Sequence, residues 1–81
     1  MIPPSALSLI HSALASPEPR VALRAAAIEL SGSGLDRSPL LSAFRAVHED
    51  LAERGHDEEA AFIADAMDMI ETWYDRGKAS F

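Results

Sequence analysis

The chain contains no cysteine, which excludes a disulfide scaffold and any thiolate metal site and fits a reducing compartment. β-Branched residues are scarce, with five Ile, two Val and one Thr among 81 residues, and they never alternate with polar ones as a half-buried strand requires. No apolar run approaches the roughly 18 consecutive residues of a membrane span. The uncharged segment from Met1 to Pro17 also lacks the basic start of a secretory signal, and Pro3-Pro4, His11 and four serines interrupt it. These absences leave a cytoplasmic, all-α protein as the expectation.

What is present is alanine and acid. Hydrophobic residues make up 48% of the chain, but 15 of them are alanine, so the core is small and built for close helix approach. The net charge of −6 is unevenly placed. Residues 1–46 hold four arginines against Glu18, Glu29 and Asp36, whereas residues 47–81 hold Arg54, Arg76 and Lys78 against ten carboxylates. Such an acidic second half disfavours nucleic acid or an anionic membrane as its direct partner and complements a basic protein instead.

Every periodic segment has the helical period, and the pattern predicts a small antiparallel four-helix bundle with helices near 5–15, 17–31, 38–54 and 57–76. Leu7, Ile10 and Leu14 form the stripe of the first helix. Ser16-Pro17 reads as an N-cap and first position for the second. That helix is apolar on two sides, with Val21, Ala25 and Ile28 opposite Leu23, Ala27 and Leu30, the mark of a central helix or of half an interface. A flexible Gly/Ser connection follows at 31–37, and Ser38-Pro39 restarts the helix carrying Leu40, Phe44, Val47 and Leu51 on one face. Its outer face offers the i,i+4 pairs Arg45–Glu49 and Asp50–Arg54. Gly55 supplies a stop, Asp57 an N-cap, and the last helix turns Ile63, Ala66, Met67, Ile70, Trp73 and Tyr74 inward before Gly77 closes it. The whole chain forms one domain.

The candidate site is the acidic final helix. Asp65, Asp68, Glu71 and Asp75 recur at spacings of three, three and four, and Asp57 and Glu58 extend the charge to the helix start. A field of that sign steers a basic protein partner, with Trp73 and Tyr74 as the aromatic anchors that would slow its dissociation. Against this stands the ordinary reading, in which the acids are a solvated face and the aromatics pack the bundle. An alternative function is homodimerisation through the second helix, with Val21, Leu23, Ala27 and Leu30 as its contacts.

No cofactor, metal site or catalytic residue is expected. Glu53 and His56 have the spacing of a di-iron ligand pair, which leaves a metal-binding helical enzyme as a remote alternative, but Gly55 interrupts the register between them. His48-Glu49 lacks the second histidine of a zinc protease, since Ala52 stands in its place, and His11 sits at the edge of a packed stripe. No Gly-x-Ser-x-Gly or phosphate-cradling loop is present.

Glu71, Trp73, Gly77, Lys78 and Phe81 together resemble the final helix and tail of colicin-type immunity proteins, acidic four-helix bundles of similar length that block basic nucleases. The resemblance covers about a dozen residues and implies architecture and charge only. That family's tyrosine-tyrosine-proline turn has no counterpart, because Tyr74 is the single tyrosine, so no binding residues carry over. The function this implies, alongside the charge argument, is an immunity or antitoxin-type inhibitor or escort that occludes a basic partner.

Overall fold

The computed structural model describes the backbone of residues 4–75 and the side chains of residues 5–74. Four helices follow one another: α1 Pro4–Leu14, α2 Pro19–Gly32, α3 Arg37–Glu53 and α4 Asp57–Asp75. Among the described residues there is no strand. Gly77, expected to close the last helix, lies outside them.

Helix starts differ from expectation in an instructive way. Ser16 does not cap α2: its Oγ accepts a 3.3 Å hydrogen bond from the Glu18 N–H in the bend before the helix, and Pro19 takes the first helical position. Ser38-Pro39 sits inside the first turn of α3, behind Asp36 at the N-cap. Proline is tolerated there because the first four N–H groups of a helix have no intrahelical acceptor. Asp57 is likewise the first residue of α4, where its carboxylate meets the positive end of the helix, while the carbonyl of His56 accepts the first intrahelical bond from Ala60 at 3.0 Å.

Helix ends follow the expected glycine rule. At the end of α3, Gly55 adopts φ +78°, its N–H reaches the Ala52 carbonyl, and His56 N–H reaches Leu51 at 2.9 Å. The end of α2 repeats this around Gly34, φ +102°, with Gly34 bonded to Ser31 and Leu35 to Leu30. Both are Schellman turns, which require a residue at positive φ. The expected connection at 31–37 is therefore shorter, because Ser31 and Gly32 still belong to α2 and Arg37 already belongs to α3.

The helices form two hairpins, α1 with α2 and α3 with α4, joined by contacts of α2 with α4 and of α1 with α3. Successive helices reverse direction. The ring order α1–α2–α4–α3 then makes α2 and α4 parallel neighbours: Arg20 near the start of α2 meets Asp65, and Ser31 near its end meets Tyr74. Inside the ring, Ile10, Leu23, Leu40, Phe44, Val47, Ile63 and Ile70 are fully buried, and buried alanines from every helix let the axes approach. The α3 face of Leu40, Phe44, Val47 and Leu51 is buried as its spacing predicts.

Candidate functional site

Three residues advance a helix by about 300°, so acids spaced by three drift about 60° backwards at each step. Asp65, Asp68 and Glu71 accordingly wind across the outer side of α4 instead of lining one edge. Asp65 reaches the α2 edge, where its Oδ2 lies 3.5 Å from Arg20 Nη2. The same guanidinium stacks over the Phe62 ring, 5.3 Å from its centroid, and Arg24, Ala66 and Met69 complete that seam. Asp68 stands exposed in the middle. Glu71 reaches the α3 edge, where it and Asp68 share a groove of about 330 Å³ with Arg45, His48, Glu49, Ala64 and Met67.

Asp57 and Glu58 are exposed on the first turn of α4, beside Glu59, whose Oε1 is 3.4 Å from His56 Nδ1. On α3, Asp50 pairs with Arg54 at 3.3 Å, while the expected Arg45–Glu49 pair does not close. Glu49, Asp68 and Glu71 share the groove between α3 and α4, while Glu53, Asp57 and Glu58 are exposed around the α3–α4 turn; none of the six forms an ion pair among the described residues. The side chain of Asp75, the remaining acid of the expected set, lies outside the described residues.

The aromatic pair lies at the edge of the core. Trp73 and Tyr74 are both half-buried against the core. Tyr74 Oη lies 3.4 Å from Ser31 Oγ and donates to the Leu35 carbonyl at 3.5 Å, so it ties the end of α4 to the turn after α2. Ser31, 4% exposed, is the buried polar residue of the described chain, and Tyr74 satisfies it. An aromatic engaged in this way serves the fold.

The alternative contact set separates as well. Leu23, Ala27 and Leu30 belong to the core, at 0%, 0% and 8% exposure, whereas Val21 is 62% exposed on the opposite side. Pairing through all four would require opening the bundle. Glu53 and His56 lie on either side of the Gly55 turn, and no three His, Asp or Glu side chains among the described residues are placed to share a metal ion.

The Arg20–Phe62–Asp65 seam and the Tyr74–Ser31 clamp are the contacts that sequence reasoning missed. Both join helices whose adjacency depends on the ring order, and no spacing along the chain carries that signal. No described helix is long and apolar enough to cross a membrane. Comparison with protein-family models, with curated proteins and with solved structures finds no significant match.

Proposed function

We propose that this chain is a cytoplasmic, acidic protein-binding module that attaches its outer α3–α4 side to a basic protein and occludes it, as an immunity or antitoxin-type inhibitor or escort does. The observation that carries this reading is the set Glu49, Glu53, Asp57, Glu58, Asp68 and Glu71, six carboxylates without an ion pair among the described residues, with Arg45 the single arginine in the groove that three of them share. An excess of charge of one sign steers an oppositely charged partner and sets its orientation. The groove that Ala64 and Met67 help to line supplies apolar surface beside the acids, the role first assigned to Trp73 and Tyr74.

A tagged pull-down washed in parallel at low and high salt tests it, with Glu58→Lys/Asp68→Lys/Glu71→Lys as the control bait. The reading expects a basic protein retained by the parent chain, released by salt and absent from the variant. Equal capture by both baits at low salt overturns the acidic-face mechanism.

A further inference from the structure

The outer side of α2 is a second surface, independent of the acids. Leu23, Ala26, Ala27 and Leu30 turn into the core, leaving Val21, Ala25, Ile28 and Gly32 along the opposite side at spacings of four, three and four. Val21 is the exposed large hydrophobic residue of the described chain, Ala25 and Gly32 are exposed, and Ile28 is half-buried. A Cβ placed on Gly32 would meet nothing within 4 Å. The four-three-four spacing is the alternation of a and d positions by which one helix packs along another.

The flanking charges identify the occupant. With Ala25 at a, Arg24 falls at g and Glu29 at e; both are exposed and neither forms an ion pair among the described residues, although Arg20, one turn earlier, does. When two such helices run parallel, the g residue of one faces the e residue of the next heptad on the other, five positions along. Arg24 and Glu29 are five positions apart, so a two-fold pair brings each Arg24 to the other chain's Glu29. In an antiparallel pair g faces g and e faces e, and the complementarity is lost. A surface that complements itself under a two-fold axis is what an isologous dimer needs.

We infer that the outer side of α2 is a self-association surface, on which a second copy of this chain pairs in parallel along Val21, Ala25, Ile28 and Gly32, clasped by Arg24–Glu29 contacts in both directions. Ala25 and Gly32 at the a positions let the two backbones approach closely. The seam spans only about 16 Å at 1.5 Å per residue, so the dimer is a weak one that forms at high chain concentration. This differs from pairing through Leu23, Ala27 and Leu30, which the core already occupies, and it leaves the α3–α4 side free.

Sedimentation equilibrium from micromolar to millimolar chain tests the inference, with circular dichroism confirming that each variant is folded. The parent mass should rise towards two chains, and Ala25→Glu should hold it at one. Arg24→Glu and Glu29→Arg should each weaken association by roughly three- to tenfold, the loss of two exposed ion pairs, and the double exchange should restore it. Because the chain has no cysteine, Val21→Cys gives a clean readout of orientation: like positions meet only in the parallel pair, so it should cross-link to its own copy on oxidation. A parent mass of one chain at millimolar concentration overturns the inference. So does a dimer that survives Ala25→Glu, that the double exchange fails to restore, or that Val21→Cys does not cross-link.

Discussion

At the scale of single residues, Gly55, Gly32 and Tyr74 show what one position decides. A Cβ added at Gly55 would touch nothing within 4 Å, so the penalty of Gly55→Ala is purely the left-handed backbone, about 1 kcal/mol. Gly32 has equal room and is the last residue of α2, still in helical conformation, where alanine is the better helix former, so Gly32→Ala should stabilise by up to about 0.5 kcal/mol. Urea unfolding of the two variants should therefore move the midpoint in opposite directions. Tyr74→Phe removes a hydroxyl whose contacts are long, 3.4 and 3.5 Å, but leaves Ser31 buried without its partner; a loss of about 1 kcal/mol in the same assay is expected. Gly55 was legible in the sequence because a stop signal is local, standing just after the last apolar residue of its stripe. The role of Tyr74 was not, because its partner lies 43 residues away on a helix that becomes a neighbour only in the folded ring.

At the scale of helices, periodicity was legible and capping was not. Leu40, Phe44, Val47 and Leu51 could be assigned to one face because four positions at a 3.6-residue period overdetermine it. A Ser-Pro pair is weaker information, since proline fits any position of the first turn, and the two pairs in this chain end up in different places: one in the bend before Pro19, the other inside α3. Ser38→Ala distinguishes the arrangements. A serine at the N-cap loses about 1 kcal/mol on replacement by alanine, whereas Ser38, exposed behind Asp36, should change stability by less than about 0.5 kcal/mol. The two-sided α2 is the element whose pattern left two outcomes open. Its Leu23 stripe and its Val21 stripe are equally apolar in sequence, and what separates them is that leucine at 23 and 30 fills the ring while valine and alanine at 21 and 25 stay outside.

At the scale of the whole molecule, charge and stability oppose each other. Of the eighteen buried hydrophobic residues among those described, seven are alanine, so the core contributes less apolar area than its length suggests, and a domain of this size has only about 4 to 12 kcal/mol of net stability to lose. Against that margin α3 and α4 hold six carboxylates with no ion pair among the described residues, and an excess of like charge raises the energy of the compact state relative to the unfolded chain. Asp68 is the sharpest case, exposed at the centre of α4 in one groove with two acids, Glu71 and Glu49, against one arginine, Arg45. Asp68→Lys should raise the melting temperature at low salt, because it relieves that repulsion and adds an attraction, and the gain should shrink as salt screens both. The same substitution should weaken capture of a basic partner. A gain in stability together with a loss of binding is the signature of charge kept for recognition; a melting temperature unchanged at low salt would mean that the acids are too far apart to repel and form only a hydrated face. Calorimetry of the parent and Asp68→Lys chains across a salt series, set beside the pull-down with the same two baits, separates these outcomes.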